Sequence, residues 1–166
     1  MTIVDPVTGL FAKQDFLRLL EEAVRVSREE ELPYAVLVLV PQRLPHEDYS
    51  DVVRVAAGCV RDLVRDDDIA GRLDDEVLAI GLPNCDASGA RVMAHRLQGD
   101  LRLRSVHLRN TSWEPGYAVL GEDAPVAGEL ITCAIEAARG RRRQMASHAP
   151  TRAIDIPPAL GAYGKL

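Results

Sequence analysis

The sequence has few cysteines, few aromatic residues and no long apolar run. Its three cysteines, Cys59, Cys85 and Cys133, are odd in number and far apart, which argues against a disulfide framework and against a zinc site. We expect all three to be buried thiols, which behave as small apolar side chains. No apolar stretch approaches the roughly 20 residues that cross a bilayer, and residues 1–5 lack the features of a signal peptide. We therefore expect a cytoplasmic protein with no membrane contact.

A basic surface is also scarce, because the chain of 166 residues carries a formal charge of −5. General nucleic-acid binding needs a cationic face, and only the run Arg139-Gly-Arg-Arg-Arg143 offers one. We interpret that run as a solvated helix end, so no nucleic-acid partner is expected. What the composition does contain, 47% apolar and 27% charged residues, is typical of one globular domain.

The hydrophobic pattern predicts alternating helices and strands. Apolar residues at helical spacing from Phe16 to Val24 predict a first helix that stops at Pro33. Residues 34–40 are a continuous apolar run of aliphatic residues after Tyr34, typical of a central strand covered on both faces, and Pro41 is expected to end it. The remaining predicted elements are a helix capped by Asp48 or Ser50 that ends near Arg65, strands over 69–73 and 77–82, a helix capped by Asp86 or Ser88, strands near 106–109 and 116–120, and a helix over 128–139.

This order predicts an α/β (α+β) sandwich with a mostly antiparallel, ferredoxin-like sheet. The strands over 69–73 and 77–82 form a hairpin around the polar turn Asp74-Asp75-Glu76. From Arg141 onward the chain is rich in Pro, Gly and Ala and has no periodicity. We therefore expect one domain over residues 1–143 and a C-terminal tail over 144–166.

Two segments resemble the GGDEF domains of diguanylate cyclases. The run Asp5-Pro-Val-Thr-Gly-Leu10, followed by Phe16, is similar to the D-x-L-T-G-L turn that precedes the first helix of that family. Residues 65–83 are similar, without a gap, to its stretch around R-Y-G-G-D-E-F-A-I-L-L-P. The resemblance extends from Asp5 to about Arg143 and implies a nucleotide-cyclase-type sheet with helices on both faces.

The departures from the family pattern fall on its catalytic residues. The five signature positions hold Asp74, Asp75, Glu76, Val77 and Leu78. Two carboxylates thus replace the glycines that let the GTP phosphates approach the backbone, and they would repel a triphosphate. Only Glu76 keeps an acidic side chain where the family holds a metal.

The other nucleotide-binding segments differ as well. Where the family has a D-x-D-x-F-K run, residues 39–44 read Leu-Val-Pro-Gln-Arg-Leu. The I-N-D-x-x-G-H segment that recognises guanine is mostly missing, since Leu44 is followed directly by Pro45-His46. A single Glu does not form a divalent-metal site. The resemblance therefore implies a degenerate domain with no metal, no cofactor and no enzymatic activity.

The sequence also contains residues that resemble a second binding site of the family. Many GGDEF domains bind their product, cyclic di-GMP, through an R-x-x-D motif upstream of the hairpin, and Arg65 and Asp68 have that spacing. Arg96 matches an Arg that completes such a site from a neighbouring subunit. An Arg can donate paired hydrogen bonds to guanine, and a carboxylate can accept from it. We therefore expect a cyclic di-GMP receptor that forms a homodimer and signals to a protein partner.

Two other interpretations stay open. One is a ligand-independent scaffold for a partner protein, because R-x-x-D arises easily beside three consecutive aspartates and Arg65 would also favour a helix C-terminus. The other, a residual nucleotide enzyme, is disfavoured by the missing ligands. His46 and His107 lack clustered partners, and Trp113 is interpreted as a packing residue. The acidic turn 74–76 is interpreted as a plain exposed turn rather than a protein contact.

Overall fold

The computed structural model describes residues 1–44, 50–108 and 111–144. Over these ranges the helices are α1 (Lys13–Glu29), α2 (Ser50–Leu63), α3 (Ala87–Arg104) and α4 (Ala127–Gln144), and the strands are β1 (Tyr34–Arg43), β2 (Ile69–Arg72), β3 (Leu78–Pro83) and β4 (Ser112–Val119). The strands form an antiparallel sheet in the order β2-β3-β1-β4. None of the helices in the described ranges has the length and apolar character needed to cross a membrane.

Strand β1 is the centre of the core because helices cover both faces of the sheet. Successive side chains of a strand point to opposite faces. Leu37 and Leu39 accordingly pack in the cluster with α2 and α3, whereas Val36 and Val38 pack in the cluster with α1 and α4. This arrangement confirms the predicted α/β sandwich with helices on both faces.

Local signals in the sequence explain several element ends. Helix α3 begins after Asp86, whose side chain accepts a hydrogen bond from Gly89 N at 2.9 Å, so Asp86 rather than Ser88 is the cap. Helix α1 ends before Glu31, which adopts a positive φ of 56°, and Pro33 follows. The β2–β3 hairpin closes where Leu73 N donates to Val77 O at 2.8 Å. The predicted hairpin is therefore confirmed.

Several predicted boundaries are wrong. Residues 106–108 form no strand: Val106 is 85% exposed, so the apolar alternation there has no buried face. Strand β1 continues through Pro41, which lies beyond the last β3 pair, Leu39 with Leu78; there β1 pairs with β4 alone, and the register shifts. Helix α4 continues to Gln144, past the predicted end at 139, so the basic run lies within its last turns.

The cysteine prediction is correct for one thiol. Cys59 is fully buried, but Cys85 and Cys133 are only partly buried, because each lies where a loop or helix meets solvent. Asp48, His46 and residues 145–166 of the predicted tail lie outside the described residues.

Candidate functional site

The hairpin turn is closed by one of its own carboxylates. Asp74 Oδ1 accepts hydrogen bonds from the backbone N–H groups of Glu76 at 2.8 Å and Val77 at 2.7 Å. An Asp side chain commonly stabilises a turn in this way. The two amides that such a turn would present to an anion are therefore already occupied.

Arg72 connects this turn to the N-terminal turn. Its Nε and Nη2 donate to the carbonyl oxygens of Asp74 at 3.1 Å and Asp75 at 2.9 Å, and its Nη1 lies 3.3 Å from both carboxylate oxygens of Asp5. Asp5 Oδ2 also accepts from Thr8 N and Thr8 Oγ1. Burial alone would raise the pKa of Asp5, but the Thr8 hydrogen bonds and the Arg72 charge together lower it below its usual value of 3.8.

A cleft of about 240 Å³ lies between the hairpin and the end of β1. It is bordered by Gln42, Asp74, Glu76 and Arg139. Asp74 is committed to the turn, which leaves Glu76 as the free carboxylate, while Val77 and Leu78 are buried in the core. Among the described residues no group of three or more His, Cys, Asp or Glu is arranged to hold a metal. This donor set does not fit a divalent ion with its usual several oxygen ligands.

The R-x-x-D motif forms a tight turn between α2 and β2. The backbone N–H of Arg65 donates to Asp68 Oδ2 at 2.8 Å, and the N–H of Asp68 donates to the Arg65 carbonyl at 3.1 Å. The Arg65 side chain is exposed and makes no hydrogen bond or ion pair within the described part of the chain. The turn thus fixes the Asp68 carboxylate and leaves the Arg65 guanidinium available.

Both motif residues border one cavity of about 170 Å³. The cavity lies between this turn, the end of β3 and the start of α3, with Cys85 and Met93 also in its wall. Burial raises the pKa of Asp68, while the N–H and the charge of Arg65 oppose that rise. The structure therefore brings Arg65 and Asp68 together as predicted.

Arg96 is not part of this cavity. Gly89 and Met93 border the cavity from α3, and Arg96 follows Met93 by one helical step on the same side. It is exposed and makes no hydrogen bond or ion pair to another described residue. One chain alone does not place Arg96 with Arg65 and Asp68, so its proposed role requires a second copy.

Sequence reasoning missed Cys85 and Asp86 as neighbours of the motif. Burial raises the pKa of the Cys85 thiol, and the carboxylates of Asp86 and Asp68 raise it further. The predicted hairpin could have indicated this proximity. Because β2 and β3 pair antiparallel, the residues that follow β3 lie close to those that precede β2. His107, in contrast, is exposed, and the described residues contain no group of three or more metal ligands that it could join.

Solved structures of similar fold identify this architecture, although no family model and no curated protein matches the chain. The GGDEF domain of TpbB (YfiN) from Pseudomonas aeruginosa is 25% identical with a TM-score of 0.74, covering 86% of this chain and 90% of that one. The GGDEF domain of DgcB from Caulobacter crescentus, solved in complex with c-di-GMP, is 19% identical with a TM-score of 0.71, covering 84% and 90%.

A third similar structure is a protein complex. The diguanylate cyclase SiaD from Pseudomonas aeruginosa, solved with its activator SiaC, is 19% identical with a TM-score of 0.72. The match covers 85% of this chain and 58% of SiaD. Together with the sheet order and the helices on both faces, these similarities show that the fold of this chain is that of a GGDEF-type domain.

Proposed function

We propose that this chain is a catalytically inactive GGDEF-type domain that acts as a receptor for cyclic di-GMP through Arg65 and Asp68. The observation that carries the proposal is that both side chains border one cavity, with the Arg65 guanidinium uncommitted to any described residue. An Arg and a carboxylate side by side match the acceptor and donor edges of guanine.

The geometry of Asp68 suits this role. Its Oδ2 accepts from the Arg65 N–H, which orients the carboxylate, while Oδ1 makes no hydrogen bond to another described residue. That oxygen can accept from guanine N1–H and N2–H. A cavity of about 170 Å³ is smaller than the usual pocket for a whole ligand, so it suits one base with the rest of the dinucleotide outside.

The size of the ligand favours a second copy of the chain. The part of the dinucleotide that remains outside the cavity lies next to the exposed face of α3, where Arg96 follows Met93. We propose that Arg96 of one molecule completes the site of another in a homodimer. DgcB supports the choice of ligand, since a domain of the same fold was solved with c-di-GMP.

The hairpin supports the absence of catalysis. Asp74 occupies the amides of the turn with its own carboxylate, and the exposed Asp75 adds a second negative charge. A triphosphate would meet two carboxylates at a turn whose side chains do not fit a divalent ion. We therefore propose that the chain signals by binding, in the cytoplasm, and does not turn over GTP.

Isothermal calorimetry with cyclic di-GMP, cyclic di-AMP and GTP tests the proposal. We expect saturable binding of cyclic di-GMP alone. Arg102→Gln is a suitable control, because Arg102 is exposed on α3 and does not border this cavity. Absence of binding at about 100 μM cyclic di-GMP, with circular dichroism showing a folded chain, would refute the receptor function.

A ligand-independent protein scaffold is the alternative, and an exposed apolar surface favours it. Val92 is 58% exposed and Leu103 76% exposed, both on α3, and Val106 just beyond is 85% exposed. Apolar residues that recur on one exposed side commonly mark a protein contact. SiaD, a protein of this fold, was solved with a protein activator. The same calorimetry separates the two functions.

A further inference from the structure

A second cavity, of about 410 Å³, lies between the C-terminal half of α3 and the start of β4. Its volume is in the range of small-molecule pockets. It is at the far end of α3 from the R-x-x-D cavity, which borders Gly89 and Met93. Its wall includes Gln98, Leu101, Arg102, Ser105 and Trp113.

Two buried polar atoms at this cavity have no hydrogen-bond partner among the described residues, and a third side chain, Gln98, lies next to them. Trp113 Nε1 and Ser105 Oγ are both buried and unpaired. Gln98 is only 8% exposed, and its amide makes no hydrogen bond to another described residue. A buried polar group without a partner costs about 1–3 kcal/mol, so native proteins keep few of them without a reason. Two such groups at one cavity, with the uncommitted amide of Gln98 beside them, indicate a ligand that pairs with them.

The chemistry of these groups defines the ligand class. The indole N–H can only donate, so the ligand must offer an acceptor. Arg102 adds a positive charge that no described residue neutralises. Leu101 and the indole ring supply apolar surface.

Among the described residues, Glu114 is the carboxylate that borders the cavity, and its side chain is directed toward the other face of the sheet. Side chains alternate along β4. Trp113 packs in the cluster with α2 and α3, so Glu114 points to the opposite face, where Gly116 lies against Ala134 and Ala138 of α4. Glu114 also has a polar partner of its own. This orientation increases the distance between the Glu114 charge and an anion in the cavity, and so weakens their repulsion.

We propose that this cavity binds a small organic carboxylate with a flat apolar body, whose oxygens accept hydrogen bonds from Trp113 and Gln98 while Arg102 supplies the opposite charge. The site is independent of the cyclic di-GMP site, because the two cavities share none of the residues that define them.

Fluorescence offers a direct test, since Trp113 is the one tryptophan of the sequence. Benzoate, benzamide and benzylamine have matched rings and carry a negative, a neutral and a positive group. We expect a saturable change of Trp113 emission with benzoate, with a dissociation constant on the order of 1 mM for so small a ligand. Benzamide should bind more weakly, and benzylamine should not bind.

Variants on α3 distinguish benzoate binding in this cavity from nonspecific quenching of the Trp113 emission. Arg102→Gln should weaken benzoate binding about tenfold, the effect expected for loss of one hydrogen bond to a charged group. Arg91→Gln is the matched control, because Arg91 is exposed on the same helix and does not border the cavity. Gln98→Met, which keeps the side-chain length, should weaken binding as well, and Arg65→Ala should leave it unchanged.

Three results would overturn the proposal. One is an emission that stays constant, or falls linearly without saturation, up to about 20 mM benzoate in a folded protein. A second is equal binding by the Arg102→Gln variant and the unmodified chain. The third is tighter binding of benzylamine than of benzoate. Calorimetry with benzoate provides the same readout for variants that alter the emission of Trp113.

Discussion

The guanidinium of Arg72 lies 3.3 Å from both carboxylate oxygens of Asp5, a residue 67 positions earlier in the chain. Both side chains are mostly buried, with 16% and 17% exposed. Arg72 also donates to the carbonyls of Asp74 and Asp75, so a single side chain joins the N-terminal turn to the hairpin tip.

Asp5→Asn should lower the free energy of unfolding by about 1–3 kcal/mol, because it removes a mostly buried charge that Arg72 and Thr8 satisfy. Urea unfolding followed by circular dichroism measures the change. Asp51→Asn is the control: Asp51 pairs with Arg54 on the surface, its side chain is 81% exposed, and its loss should have little effect. Equal effects of the two variants would contradict the structural role of Asp5.

The carboxylate of Asp5 should also make the unfolding free energy depend on pH. The folded pKa of Asp5 lies below its usual value of 3.8, so its contribution to stability is complete above that value and disappears as pH falls through the folded pKa. The difference in unfolding free energy between the unmodified chain and Asp5→Asn should therefore shrink below about pH 4. A difference that stays constant between pH 6 and pH 2 would show that the charge of Asp5 is not responsible.

Gly116→Ala should destabilise the fold by about 1–3 kcal/mol or more. A Cβ at this position would lie 2.5 Å from Ala138 N, and the backbone of α4 cannot move away without separating from the sheet. Gly99→Ala is the matched control, since nothing lies within 4 Å of its added Cβ. Because Gly99 is inside α3, that change should stabilise by about 0.5–1 kcal/mol. Thermal unfolding of both variants measures the contrast.

Incubation with GTP and magnesium or manganese should yield no cyclic di-GMP. The double change Asp74→Gly and Asp75→Gly should not restore synthesis, because the end of β1 would still lack a metal-binding carboxylate. Chromatography of the products, with an active diguanylate cyclase as positive control, measures turnover. Product above the blank from the unmodified chain would contradict the proposed inactivity.

Arg65→Ala should weaken cyclic di-GMP binding about 5- to 150-fold, which corresponds to the loss of a bidentate contact with guanine. Asp68→Asn should reduce the preference for cyclic di-GMP over cyclic di-AMP more than it reduces affinity, since the amide oxygen still accepts but the charge is lost. Calorimetry with both dinucleotides gives the two quantities. Unchanged affinity in Arg65→Ala would place the ligand elsewhere.

Arg96→Ala should abolish ligand-dependent self-association while leaving one-to-one binding measurable. The reason is that Arg96 does not border the cavity of its own chain. Light scattering across a concentration series, with and without cyclic di-GMP, measures the mass. A monomer under both conditions in the unmodified chain would exclude completion of the site by a second copy.

Much of the fold could be predicted from local pattern. The run over residues 34–40 predicted β1 because a short, valine-rich run that is apolar at every position is typical of a strand covered on both faces. Asp86 predicted the start of α3 because its side chain satisfies a free amide there. The prediction of a strand near 106–109 was wrong, because the β propensity around Val106 does not determine whether one face of the segment is buried.

The candidate sites also combine features that the sequence predicted with features that it did not. Sequence alone determined which chemical groups stand at the signature positions: carboxylates at Asp74 and Asp75, and no acidic residue near Val40. It did not determine that Asp74 would occupy its own turn amides. The predicted hairpin indicated that the residues after β3 return to those before β2, but not that Cys85 would border the same cavity as Asp68. It also gave no sign of the cavity at Gln98 and Trp113. Such contacts depend on how β2 pairs with β3 and how α3 packs on the sheet, and those pairings join residues whose local patterns carry no information about each other.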